Sequence, residues 1–242
     1  MQCSVRLTWF YPVRPYVLSL IGYGGLDRIM QTIFLSAIYC FLPLVVFICC
    51  VSLLVKDYKI WKALLASLLG MLTVLPIAAL QSTINGTKLL NLNGLFGILI
   101  SAIVLNGLVE EFVKAALLFI LPLRKDGEKK AKRDFFLCAL TAGLALGCLE
   151  SFVYLIAGTQ RIGLRMVTAG VVHTFCSGLD GLFVYGVKSR DVHVLPLLLA
   201  ILTHGIYNYF AGFGEGTPYF YISFVAILFA AIECRVRYTR EY

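Results

Sequence analysis

The sequence predicts an all-α, polytopic transmembrane helix bundle of about seven spans. Of the 242 residues, 60% are hydrophobic and only 14% are charged, and the mean hydropathy is +0.88. Soluble domains usually contain about 45–50% apolar and about 25% charged residues. The excess apolar residues lie in long blocks rather than in an alternating or amphipathic pattern, which is typical of polytopic membrane proteins.

Seven blocks are long enough to span a membrane, since a span needs about 20 apolar residues. Residues 1–28 are aromatic and apolar but are interrupted by prolines, an arginine and glycines, so we expect an interfacial segment, with an eighth span as the alternative. No long linker divides the chain, so residues 1–242 are predicted to form one integral membrane domain. The predicted spans are 29–55, 60–82, 93–122, 134–157, 163–187, 193–213 and 217–234.

The distribution of Lys and Arg predicts the orientation in the cell membrane. The loop between the third and fourth spans has six basic residues, and its side of the membrane has 14 in all, against six on the other side. Basic loops remain in the cytoplasm, so the N-terminus is expected outside and the C-terminus inside. The net charge of +8 therefore reflects topology and not nucleic-acid binding. The eight cysteines form no C-x-x-C pair, which disfavours a cysteine metal site.

Four predicted spans carry polar residues that lipid should exclude. A charged side chain near the bilayer centre costs at least about 2.5–3.5 kcal/mol, and such residues are functional by default. Pairs four residues apart share one helix face. The residues are Glu110, Glu111 and Lys114 in the third span, Glu150 and Tyr154 in the fourth, His173, Ser177 and Asp180 in the fifth, and His204 and Asn208 in the sixth.

These polar residues are expected at similar depths. Counted from the cytoplasmic end of each helix at about 1.5 Å per residue, Glu110 and His173 lie about 21 Å deep. By the same count Glu150 lies about 24 Å deep and His204 about 18 Å. Neighbouring helices run in opposite directions, so the distances between these residues along the sequence do not by themselves produce similar depths. We therefore predict that the four faces converge on one buried cluster.

Carboxylates and imidazoles together, without a nucleotide-binding or serine-nucleophile motif, favour chemistry by an activated water. A glutamate held away from bulk solvent can accept a proton from water near neutral pH. In one scheme His173, His204 and a glutamate, for which we choose Glu150, form a zinc site with an open position for water. In the other, His204 and Asn208 donate hydrogen bonds to the oxyanion and no metal takes part. Both schemes hydrolyse a peptide bond inside the membrane.

Three residues are assigned supporting roles. Lys114 lies one turn from Glu110, so we expect these two to form an ion pair, and this favours Glu110 over Glu111 as the base. Tyr154 and Ser177 are expected to support the site or to pack between helices.

Four motifs, taken in order, resemble the PrsW family of intramembrane proteases, which is related to CAAX-prenyl-protease-like membrane hydrolases. The motifs are E-E-x-x-K at 110–114, E-x-x-x-Y at 150–154, H-x-x-x-S-x-x-x-G at 173–181 and H-x-x-x-N at 204–208. Their order and their placement on successive spans match the family, and the resemblance covers roughly residues 93–213, the predicted four-helix catalytic core.

The resemblance implies an active site made of Glu110, Glu111, Glu150, His173 and His204, with Asn208 beside it. It also implies membrane-anchored protein substrates cut near or within the bilayer, anti-sigma factors being the family's best-known case. The CAAX branch has Arg at the position of Lys114 and His at that of Glu150, so prenylated substrates are disfavoured. PrsW proteins are usually described as metalloproteases and their CAAX-type relatives as glutamate-dependent enzymes, so zinc and metal-free hydrolysis both stay open.

Two other classes of protein also use buried Glu and His residues. A transporter or proton relay places them along a pathway through the bilayer, whereas here they gather at one depth and no inverted repeat is evident. A non-catalytic scaffold would bind single-span partners through the same polar groove. We expect a protease and keep these two as alternatives.

Overall fold

A computed structural model describes residues 25–56, 58–87, 90, 94–124, 127–156, 163–214 and 216–240. In chain order the described elements are all helical, as predicted. They are α1 (Gly25–Leu54), α2 (Ile60–Leu72), α3 (Val74–Gly86), α4 (Gly94–Ser101), a π-helical segment (Ala102–Val109), α5 (Glu110–Leu118), α6 (Glu128–Ile156), α7 (Gly163–Ser189), α8 (Leu195–Ala211), a 3-10 turn (Pro218–Tyr221) and α9 (Ile222–Arg240).

The helices form a polytopic bundle, which confirms the predicted fold class. Six stretches are long and apolar enough to cross a membrane, and α8 is a shorter apolar helix of 17 residues. Helices α2 and α3 together make one stretch, Ile60–Gly86, while α4, the π-helical segment and α5 make another, Gly94–Leu118. These seven elements coincide with the seven predicted spans. The interfacial segment and the alternative eighth span fall largely on residues 1–24, outside the described residues.

Helices α6 and α7 lie at the centre of the bundle. The buried share of the apolar stretch is 67% in α6 and 78% in α7, but only 22% in α1 and 28% in the stretch that contains α9. The outer helices expose large apolar side chains such as Phe34 on α1 and Val225 on α9. In a bilayer these apolar side chains contact lipid. Polar side chains, which lipid does not solvate, are therefore confined to the central helices.

Glycines allow the central helices to approach closely. A Cβ atom at Gly147 of α6 would lie 2.6 Å from the Cα atom of Gly170 on α7. Gly205 of α8 packs in the same way, because a Cβ atom there would lie 2.6 Å from the Cα atom of Ile103 in the π-helical segment. Small residues at membrane helix contacts permit backbone-to-backbone packing. These contacts bring the polar faces of α5 to α8 together.

A buried carboxylate fixes the end of α6 that follows the basic loop. Asp134 is 2% exposed and accepts hydrogen bonds from Lys62 of α2, Arg124 and Arg133, at 3.4, 3.1 and 3.0 Å. Three cations around one carboxylate compensate for its burial. The network therefore joins α2, the loop after α5 and α6 at one end of the bundle.

Substitution of Gly147 by alanine tests the close approach of α6 and α7. The added methyl group would overlap Gly170, so we expect Gly147→Ala to lower the free energy of unfolding by about 1–3 kcal/mol. Gly86→Ala is the matched control, since nothing lies within 4 Å of the added carbon there. Thermal unfolding in detergent measures both variants, and equal melting temperatures would contradict the packing described.

Candidate active site

The structure brings together five of the residues that the sequence singles out. Glu110 and Glu111 begin α5, Glu150 lies in α6, His173 in α7 and His204 in α8. Their exposed fractions are 2, 0, 7, 2 and 1%. Four spans thus contribute to one polar cluster that is shielded from both lipid and bulk water.

A carboxylate orients each imidazole. His173 Nε2 lies 2.6 Å from Glu150 Oε2, and His204 Nδ1 is hydrogen-bonded to Glu111 Oε1. The two rings meet edge to face, with centroids 4.7 Å apart. The other ring nitrogen of His204, Nε2, is not bonded to Glu111 and lies 3.9 Å from Glu110 Oε2. The carboxylates fix the rings so that both face the centre of the cluster.

Glu110, His173 and His204 could hold a metal ion, since one ligand atom from each lies within 4.8 Å of the others. Two imidazoles and a carboxylate are a known donor set of catalytic zinc sites. The buried Nδ1 atom of His173 has no hydrogen-bond partner among the described residues, and a metal ion is one group that would satisfy it. The donor set therefore fits a metal. Its carboxylate is Glu110, whereas Glu150, the carboxylate expected from the sequence, is bonded to His173.

Lys114 pairs with Glu111 and not with Glu110, its expected partner. Its Nζ atom lies 2.5 Å from Glu111 Oε2, and both side chains are buried. Residues three and four apart can both meet on a helix, so spacing alone does not choose between the glutamates. Glu111 lies toward α8, where it is hydrogen-bonded to His204, and Asp180 of α7 is fully buried. Glu110 lies toward α3.

Sequence reasoning missed Gln81 of α3. Its Nε2 atom donates to Glu110 Oε1 at 3.0 Å and to the backbone carbonyl of Leu105 at 3.0 Å. Near the end of an apolar span, a single glutamine is easily interpreted as an interfacial residue. The available signal was that polar side chains inside spans are functional by default.

The remaining predicted residues lie beside the cluster. The Asn208 amide donates to the backbone carbonyl of His204, one turn back on α8, at 3.3 Å. Tyr154 is half-buried one turn beyond Glu150. Ser177 is buried against Gly143 of α6, and its hydroxyl has no hydrogen-bond partner among the described residues.

A hydrogen bond joins α7 and α8 on the side of the histidines away from the basic loop. Thr168 Oγ1 and Tyr207 Oη are 2.9 Å apart and both residues are buried. These residues lie about one turn from His173 and His204 along their helices. The bond therefore holds the two histidine-bearing helices together next to the cluster.

A buried Glu and His cluster in a helical membrane bundle is the arrangement expected of an intramembrane hydrolase that activates a water molecule. The family model described as PrsW family intramembrane metalloprotease matches residues 59–232. The chain belongs to this family and is a membrane protease. Neither the curated proteins nor the solved structures compared with it give a match. The matched region extends beyond residues 93–213 and includes α3, while the relation to CAAX-type hydrolases stays a prediction.

Removal of the Lys114 charge tests the ion pair at the centre of the cluster. Lys114→Met leaves Glu111 without its cation in an apolar interior, so we expect a loss of about 3–5 kcal/mol in the free energy of unfolding. The double variant Glu111→Gln/Lys114→Met, which removes both charges, should recover part of this loss. Thermal unfolding in detergent measures the series.

Lys129→Met, on the exposed first turn of α6, is the control and should change stability by less than about 0.5 kcal/mol. A double variant no more stable than Lys114→Met would show that the charge pair is not the source of the loss.

Proposed function

We propose that this protein hydrolyses a peptide bond of a membrane-anchored protein, near or within the bilayer, with a water activated by the Glu and His cluster. The observation that carries the proposal is the convergence of Glu110, His173 and His204, whose ligand atoms lie within 4.8 Å of one another in a buried site. The family resemblance favours an anti-sigma-factor-like substrate. Residues 93–213 are proposed as the catalytic core of a single membrane domain.

Glu110 is the better candidate for the base. Both oxygens of Glu111 are engaged, one by Lys114 and the other by His204. Glu110 instead points Oε2 toward His204 Nε2. In the metal-free scheme Glu110 takes the proton of water and returns it to the leaving amine. His204 donates from Nε2 to the oxyanion, which requires its ring to be protonated on both nitrogens because Nδ1 donates to Glu111. Asn208 is proposed as a second oxyanion donor, for which its amide must turn away from the carbonyl of His204.

In the zinc-assisted scheme Glu110, His173 and His204 would hold the ion. Zinc would act there as a Lewis acid on the scissile carbonyl and would favour ionisation of water. Glu150 is then the carboxylate best placed to take a proton, because its side chain is 10% exposed and already bonded to His173. Glu111 orients His204 in both schemes.

The orientation predicted from the basic loops is part of the proposal. With the C-terminus in the cytoplasm, the network around Asp134 lies at the cytoplasmic end of the bundle in the cell membrane. We expect a reporter enzyme that is active only in the cytoplasm to be active when it is fused after Tyr242. Activity of a reporter that functions only outside the membrane, fused at the same point, would reverse the orientation.

Substitution of the cluster residues tests the catalytic assignment. We expect Glu110→Gln and His204→Ala to reduce cleavage of a single-span substrate in proteoliposomes by at least about 100-fold, the usual contribution of an acid or base group. In the zinc-assisted scheme, purified wild-type protein should contain stoichiometric zinc, and His173→Ala should lose the zinc and the activity together. Gel analysis of the products and elemental analysis give the two readouts.

Glu128→Gln, at the exposed start of α6, is the matched glutamate control and should cleave at the wild-type rate. Wild-type rates in all cluster variants would overturn the proposal. Full activity in a zinc-free, chelator-treated enzyme would assign the metal-free scheme.

A further inference from the structure

We infer that Gln81 is a positioning residue of the active site, whose amide holds the Glu110 carboxylate with one oxygen directed toward His204. The inference rests on the proposed role of Glu110. It adds α3 to the four spans that the sequence assigns to the site.

The Gln81 amide nitrogen has three acceptors within reach, with Asn106 Oδ1 the farthest at 3.5 Å, and its two hydrogens serve the two nearest. Nε2 lies 3.0 Å from Glu110 Oε1 and 3.0 Å from the Leu105 carbonyl oxygen. A primary amide nitrogen carries two hydrogens, so both bonds can form at once. Gln81 therefore connects the carboxylate to the backbone of the π-helical segment that immediately precedes it.

This connection restricts how Glu110 can rotate. With Oε1 bonded to Gln81, the second oxygen lies 3.9 Å from His204 Nε2. Gln81 is 5% exposed and Glu110 is 2% exposed, so little water is available to replace the bond. A hydrogen bond to a carboxylate is stronger than one between neutral groups, and low polarity strengthens it further. Without the amide, we expect the carboxylate to sample other rotamers.

Two different residues of α3 make its structural contact and its contact with Glu110, so the two roles can be tested separately. Ile77 and Gln81 are its two buried residues, and they lie one turn apart on the same face. Ile77 packs against Val113 of α5 and Leu146 of α6, whereas Gln81 bonds to Glu110. The apolar half of the contact and the polar half can therefore be altered independently.

The test compares Gln81→Met with Ile77→Ala. Methionine has a size similar to that of glutamine but no donor, so we expect Gln81→Met to lower kcat of the folded enzyme by 10- to 100-fold, with KM within about threefold of wild type. Its melting temperature should fall moderately, because Glu110 and the Leu105 carbonyl lose a buried donor. Ile77→Ala should lower the melting temperature at least as much, but with kcat of the folded enzyme close to wild type. Ser82→Ala, at an exposed neighbouring position, should change neither.

A second readout does not depend on activity. The infrared carboxyl band that disappears in Glu110→Gln identifies Glu110, and Gln81→Met should shift this band because the hydrogen bond to Oε1 is lost. Ile77→Ala and Ser82→Ala should leave the band in place.

The outcomes distinguish the inference from the proposed function. If Glu110→Gln is inactive while Gln81→Met keeps the wild-type kcat and band position, the positioning role is overturned and the proposed function stands. A fall in kcat for Gln81→Met that only follows a loss of folded protein, as in Ile77→Ala, would make Gln81 a structural tether. Full activity of Glu110→Gln would overturn both.

Discussion

The Glu111 carboxylate is the interaction on which the rest of the site depends. One oxygen pairs with Lys114 and the other binds His204, so a single buried group links a cation of α5 to the imidazole of α8. That bond leaves His204 Nε2 facing Glu110 and sets the ring edge to face with His173. Carboxylates thus orient both histidines, and an apolar interior makes each such bond hard to break.

The spans could be predicted because the bilayer fixes the length of an apolar block. The predicted span 193–213 and the observed α8, Leu195–Ala211, differ by two residues at each end. Hydropathy could not show that α6 begins at Glu128, since backbone hydrogen bonding continues through polar residues that lie outside the apolar block. The π-helical segment also leaves no trace in composition. The segment is associated with tertiary contacts, such as the packing of Gly107 against the backbone carbonyl of Ile201.

The depths counted from the sequence predicted which side chains meet, but they could not assign hydrogen-bond and ion-pair partners within the cluster. The spacing allows Lys114 to pair with either glutamate, and only the directions of the two carboxylates, Glu110 toward α3 and Glu111 toward α8, distinguish them. The same limit applies to the carboxylates beside the two histidines: Glu110 belongs to the group that could hold a metal, and Glu150 is hydrogen-bonded to His173. Gln81 was missed because a single amide near the end of an apolar span has no motif around it and is easily interpreted as an interfacial residue.

The π-helical segment has a genetic consequence. Such a segment corresponds to an extra residue inserted into an α-helix, and here it ends one residue before Glu110. Because the extra residue widens one turn, the helix on either side of it keeps its face. Deletion of one residue from 102–109 would therefore restore a regular helix and leave both glutamates and Lys114 directed into the bundle interior. Insertion of one residue into the regular turns of α4 would instead rotate everything beyond it by about 100°. That insertion would turn the site residues out of the interior although it removes none of them.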